Sequence, residues 1–244
     1  MGVIAYTLAA TCAADGKSSA LIAVAANFAH VMADLQPEFE KVSGAGLRIS
    51  IGSTGRLYGQ IINGAPFDVL LAADQVRAEK LENTRFGVPG SRFTYATGRL
   101  VLWSTQPDLL SGAEPALADL NFRHLAMANP DLAPYGAAAR AVLLHLGVLE
   151  PITSRLVVAE DIGQAYTMVA TRNAELGFIA LSSLVNGNTR GSTWEVPQSY
   201  YPPIHQDAVL LSRAQENPAA TAFLTWLRSD QARLIITQAG YLAP

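Results

Sequence analysis

The apolar run Leu21-Ile22-Ala23-Val24-Ala25-Ala26 stops at Asn27 and gives way to Phe28, Val31, Met32, Leu35 and Phe39, spaced by three and four. A short unbroken apolar run suits a strand covered on both faces. The three-four spacing suits an amphipathic helix, so the segment reads as a strand that turns directly into a helix. The same change of period follows at once, with a strand expected over 47–51, the turn Gly52-Ser53-Thr54-Gly55, a helix over 57–63 and a strand over 67–71. Strand, tight turn, helix, strand is the βαβ unit. Repeated, it commits the chain to a largely parallel sheet flanked by helices.

Between 92 and 103 the pattern changes to two successive strand-like runs, 93–96 and 100–103, divided by Thr97-Gly98-Arg99. This is the expected crossing into a second lobe. There the grammar repeats as strand 125–128, helix 137–146, strand 156–159, helix 164–171 and strand 176–180. A strand over 208–211 returns the chain, and two apolar helical segments, 219–228 and 230–239, follow Asn217-Pro218 and are expected to pack on the first lobe. The 244 residues suffice for two lobes of roughly 100 residues each. The expected fold is an α/β clamshell of two lobes, each a mainly parallel sheet flanked by helices, with 21–97 plus 205–244 as lobe 1 and 98–204 as lobe 2. Its cleft is the natural ligand site. One continuous doubly wound sheet is the competing arrangement.

Composition removes several function classes. The formal net charge is −3 and no block of like charge occurs, so the basic footprint of a nucleic-acid binder is missing. No apolar run reaches the roughly 20 residues a membrane-spanning helix requires. Residues 1–20 are small and apolar and then turn polar at Asp15, with no basic residue ahead of the apolar part. They read either as a secretory signal remnant or as a disordered leader. Cys12 is the sole cysteine and lies there. It cannot form an internal disulfide, and after Leu8-Ala9-Ala10-Thr11 it is a poor lipid acceptor, so lipid anchoring is not expected. A mature body without a thiol is compatible with an oxidising compartment.

In open α/β sheets ligands bind beyond the carboxyl ends of strands, beside helix N-termini. Four strand-to-helix turns here are rich in small or hydroxylated residues: Ala25-Ala26-Asn27-Phe28, Gly52-Ser53-Thr54-Gly55, Ala133-Pro134-Tyr135-Gly136 and Ala159-Glu160-Asp161-Ile162-Gly163. Backbone N–H groups at a helix start, with the dipole behind them, bind an anion without a Lys or Arg. Converging, the four turns would enclose a small oxyanion. Ser53 would donate its hydroxyl, alongside its own N–H and that of Thr54 or Gly55, unless it is simply an N-cap. Asn27 is a donor or a turn residue, Tyr135 a donor or a rim aromatic, and Ile162 offers only its N–H.

Enzymatic readings find little to stand on. The four histidines, His30, His124, His145 and His205, include no pair at metal-ligand spacing, and there is no Gly-x-Ser-x-Gly elbow, phosphate loop or dinucleotide fingerprint. Glu160-Asp161 is an adjacent pair whose side chains diverge. Tyr200-Tyr201 would supply hard oxygen ligands for ferric iron, but Pro202-Pro203 follows and no carboxylate or histidine cluster accompanies it, which favours a structural role near the crossing.

Val24-Ala25-Ala26-Asn27-Phe28, Gly52-Ser53-Thr54-Gly55, Phe67-Asp68-Val69, Pro134-Tyr135-Gly136-Ala137-Ala138, Gly177-Phe178-Ile179-Ala180 and Tyr201-Pro202-Pro203-Ile204 occur together and in this order. In that they resemble the substrate-binding component of the bacterial molybdate ABC transporter. The resemblance implies a type II clamshell in the periplasm, a monomer without cofactor or catalytic activity, a molybdate or tungstate dianion as ligand, and a membrane permease as partner. It places the ligand donors at Ala26 and Asn27, Ser53, Tyr135 and Ile162. Many members carry a ligand tyrosine where this chain has Ala180, and a smaller branch has it in the third turn. The Tyr135 hydroxyl is accordingly expected to replace the missing donor. Hydrogen bonds to a charged group are worth about 1.5–3 kcal/mol each, so seven or so neutral donors would hold a dianion. An all-donor site leaves the proton of a hydrogen phosphate unpaired and should reject it. Sulfate or thiosulfate is the rival ligand, and an effector-sensing domain the rival function, although no helix-turn-helix is visible.

Overall fold

The computed structural model describes residues 18–110, 117, 121–185 and 190–243. The expected leader with Cys12 lies outside them, apart from its last residues. The first apolar run forms β1 (Ser19–Ala25), buried from Ile22 onward and starting two residues earlier than the apolar run itself. It sits between β2 (Gly46–Gly52) and β3 (Val69–Leu71), both parallel to it, so that Ile22 faces Ile49 on one side and Val69 on the other. A strand with covered faces and two neighbours needs no polar alternation, which is why the run is unbroken. The period-3.6 segment becomes α1 (Ala29–Ser43), burying Val31, Met32, Leu35 and Phe39 and ending at Gly44 in the left-handed conformation. Next come α2 (Thr54–Ile62), α3 (Gln75–Glu82) and β4 (Phe93–Gly98).

The chain crosses at Arg99 into β5 (Leu100–Ser104), β6 (Leu125–Ala128), α4 (Pro134–His145), α5 (Leu149–Ile152), β7 (Leu156–Ala159), α6 (Ile162–Ala170), β8 (Leu176–Ala180), α7 (Ser182–Val185) and β9 (Ser192–Glu195). It returns as β10 (Ile204–Leu210), and α8 (Pro218–Leu227) and α9 (Asp230–Gln238) complete it. The strand orders are β2-β1-β3-β10-β4 and β7-β6-β8-β5-β9. In each sheet one strand, β10 or β5, runs against its two neighbours, and the other four share a direction. The two halves thus repeat one plan. Both reversed strands adjoin a crossing.

Phe28, Leu35, Phe39, Phe223, Leu227 and Ile236 bring α1, α8 and α9 together over the first sheet, while Trp103, Leu143, Val169 and Phe178 form the core around the second. The C-terminal helices thus pack on the first lobe. Helix α3 and strand β10 are among the elements that depart from the apolar pattern. Helix α3 buries only Ala78 and Leu81, too few for periodicity to reveal it; its start is set by Asp74, whose carboxylate accepts from the Arg77 N–H. Strand β10 begins four residues before the apolar run because Gln206 and Asp207 lie inside it, both fully buried. Asp207 is tolerated there because Arg92, Thr94 and Gln75 all donate to it.

Candidate functional site

The starts of α2, α4 and α6 and the 3₁₀ turn Ala26–Phe28 after β1 converge between the two sheets. They wall a small, closely packed cavity lined by Ala26, Asn27, Ser53, Thr54, Tyr135 and Ile162, with Ala25, Ala73, Ala133, Pro134 and Asp161 completing it. The five residues singled out in the sequence, Ala26, Asn27, Ser53, Tyr135 and Ile162, therefore line one space. A larger groove outside, about 520 Å³ between α3 and α4, shares only Ala73 and Pro134 with it.

The chemistry of the wall follows from helix starts, whose first N–H groups have no intrahelical acceptor. In α4, Pro134 has no N–H and Gly136 donates to Ala133 O, which leaves the Tyr135 N–H. In α6, the Asp161 carboxylate caps the Gln164 N–H, leaving those of Ile162 and Gly163. In α2, Ser53 occupies the cap position, yet its side chain makes no capping bond. Its Oγ is buried without a partner, one of only two such side-chain atoms among the described residues. The simple N-cap role considered for Ser53 therefore fails. Thr54 is used otherwise, its hydroxyl accepting from the Ala73 N–H. Gly55 departs from expectation, because its N–H is spent on Leu132 O at 2.8 Å.

Among the described residues no Lys, Arg or His lines the cavity, and the single carboxylate there, Asp161, is turned to its own helix. The positive potential comes from helix N-termini instead. This wall offers donors and no cation.

Behind the cavity lies a buried polar network that the sequence did not reveal. Asn27 Nδ2 donates to Gln206 Oε1 and to the Tyr241 hydroxyl, both at 2.9 Å. The Tyr241 hydroxyl donates in turn to Asn27 O at 2.8 Å. Tyr95 donates to Gln206 Oε1, and Ser182 reaches Asn27 O. Gln206 Nε2 donates to the Tyr135 oxygen, which itself supports Tyr241. Burial pushes the Tyr135 and Tyr95 phenols well above their ordinary range, and Tyr241 up to about 12, so all three stay neutral. The Tyr135 phenol is thus engaged behind the cavity, and a Cβ on Gly98 would overlap its oxygen. The polar pair Gln206-Asp207 immediately ahead of an apolar run was the one sequence signal for this network.

Tyr200 and Tyr201 serve packing at the crossing. The Tyr201 oxygen accepts from the Leu100 N–H, and Tyr200 stacks on His145 with ring centroids 4.0 Å apart.

The profile of the bacterial extracellular solute-binding proteins matches residues 20–242. The molybdate-binding protein ModA of Azotobacter vinelandii is 48% identical over 232 residues, covering 94% of this chain and 92% of that protein. ModA of Rhodobacter capsulatus is 43% identical over 222 residues, 91% of this chain and 87% of that protein. The solved structure of the Azotobacter periplasmic molybdate-binding protein superposes with a TM-score of 0.89 at 42% identity, covering 92% of this chain and 99% of that one. A match of that extent, on a fold with two sheets of one plan and a donor-lined cavity between them, means that the chain belongs to the bacterial extracellular solute-binding protein family.

Proposed function

We propose that this protein captures a tetrahedral oxyanion, molybdate or tungstate, in the cavity between the lobes, outside the cytoplasm, and delivers it to the permease of an ABC transporter. The observation that carries the reading is Ser53 Oγ, a buried hydroxyl without a partner at the wall of a cavity that holds helix N-termini and no cation. A group left in that condition costs roughly 1–3 kcal/mol, and an anion acceptor relieves it. Ala26 and Asn27 contribute N–H groups from the first turn, Ser53 its hydroxyl, and Tyr135 and Ile162 their N–H groups. The ligand is then bridged by both lobes, 21–97 with 205–244 and 98–204, which act as hinge units of a monomer without catalytic activity. High identity to two proteins named for molybdate supports the choice of ion.

Calorimetric titration with molybdate, tungstate, sulfate and phosphate tests the reading. One-to-one binding of molybdate and tungstate without phosphate is expected. Sulfate binding tighter than molybdate would move the assignment to a sulfate binder, and silence from all four ions would end the oxyanion reading.

A further inference from the structure

The lobes meet beside the cavity at a backbone contact made without a side chain. Gly55, in the first turn of α2, donates its N–H to the carbonyl of Leu132, in the loop ahead of α4, at 2.8 Å. A Cβ on Gly55 would stand 2.9 Å from Leu132 O and 3.0 Å from Leu132 Cα, backbone atoms that cannot swing aside. Gly59, one turn further along the same helix, would meet nothing within 4 Å. The Gly55 backbone is helical with no positive φ, so glycine is required there by the approach of the other lobe and not by its own conformation. Ser53 lies two residues before this contact and Tyr135 three residues after Leu132, so parting the lobes here opens the cavity wall between two helix starts. Two further links flank it, Arg56 Nη1 to Glu160 Oε1 at 2.5 Å and Arg77 Nη2 to Asp131 O at 2.6 Å. The first joins half-exposed side chains and is a weak hold.

We propose that Gly55 is a positioning residue for ligand retention: its missing side chain sets how far the lobes close, and its N–H bond to Leu132 seals the cavity. The inference rests on the cavity being the oxyanion site. Since variants of one complex differ mostly in dissociation rate, retention is the quantity to read. Gly55→Ala and Gly59→Ala are compared with the parent protein by tungstate titration, stopped-flow tungstate dissociation and small-angle X-ray scattering with and without tungstate. Both variants should keep the parent's ligand-free melting temperature or exceed it, because alanine favours helix. Gly55→Ala should release tungstate at least about tenfold faster, a loss worth about 1.4 kcal/mol, and show a smaller tungstate-induced compaction, whereas Gly59→Ala matches the parent. Parent-like release and compaction in Gly55→Ala overturn the proposal while leaving the oxyanion reading intact. A parent protein that binds no oxyanion ends the reading, and the proposal with it. Should Gly55→Ala not fold, amide exchange in the parent decides: the Gly55 N–H should exchange at least about tenfold more slowly with tungstate, and equal exchange in both states refutes its role.

Discussion

Replacing Ser53 with alanine separates a ligand donor from a helix cap, because the two roles predict opposite results. A serine that caps a helix loses about 0.5–2 kcal/mol of stability on conversion to alanine. In a protein of this size that lowers the melting temperature by roughly 2–4 °C per kcal/mol. Ser53 makes no such bond and its buried hydroxyl has no partner to lose, so the ligand-free variant should melt no lower than the parent. Affinity should behave differently. A hydrogen bond to a charged acceptor contributes about 1.5–3 kcal/mol, so its loss should weaken molybdate binding by about 10- to 150-fold. Paired thermal melts and calorimetric titrations measure both quantities on one preparation, and Ser53→Thr, which keeps the hydroxyl, should recover part of the affinity. A lower ligand-free melting temperature with unchanged affinity would show that Ser53 acts as a cap after all, and would remove the observation on which the oxyanion assignment rests.

Tyr135→Phe keeps the backbone N–H and removes only a phenol already engaged with Gln206 and Tyr241; titration should show less than about tenfold weakening, and a larger loss would mean that the hydroxyl itself reaches the ligand. Gln206→Leu strips partners from Asn27, Tyr95 and Tyr135 at a fully buried position. Asn27 and Tyr95 keep second partners in Tyr241 and the Ala72 carbonyl, so at about 1–3 kcal/mol for one to two stranded groups it should cost about 1–6 kcal/mol, read as a melting temperature lower by roughly 2–24 °C. Glu82 adds a pH dependence. Burial raises its carboxyl, but hydrogen bonds from Arg92 outweigh that and hold it below the ordinary range of a glutamate. A depressed carboxyl stabilises fully above its unfolded value, and that stability is lost as pH falls through the folded one, so the melting temperature should drop below about pH 4.5 and drop less in Glu82→Gln.

The alternation of strand and helix was legible because buried parallel strands must be continuously apolar and their covering helices amphipathic. Leu125–Ala128, Leu156–Ala159 and Leu176–Ala180 stand where their apolar runs do. The convergence of four turns was legible for a related reason: in such sheets every strand end that starts a helix points toward the same side. What stayed hidden depends on partners far apart in the chain. Gln206 is separated from Asn27 by 179 residues and Tyr241 by 214, and a Gln or Tyr has no spacing that announces a buried network. The same holds for Gly55, whose glycine reads as an ordinary turn residue until Leu132 is seen against it.

The distribution of donors also bears on how binding and closure are linked. On the proposed site Ala26, Asn27 and Ser53 belong to the first lobe, and Tyr135 and Ile162 to the second, so an ion held by one lobe alone forgoes the donors of the other. Two charge-assisted hydrogen bonds at about 1.5–3 kcal/mol each amount to about 3–6 kcal/mol. This is a preference for the closed form of about 10²- to 10⁴-fold. Shifting a two-state equilibrium from 1:99 to 99:1 takes about 10⁴-fold, so the second lobe's donors alone supply much or all of the required bias. The ion-free protein lacks this bias: apart from the bonds of Ser182 to Asn27 O and Tyr241 and of Tyr135 with Gln206 and Tyr241 in the polar network, its interlobe hydrogen bonds among the described residues are the Gly55–Leu132 backbone bond, the Arg77 bond to Asp131 O and the half-exposed Arg56–Glu160 pair. A cavity built from neutral donors on opposite lobes thereby makes the closed shape itself the report that the site is filled.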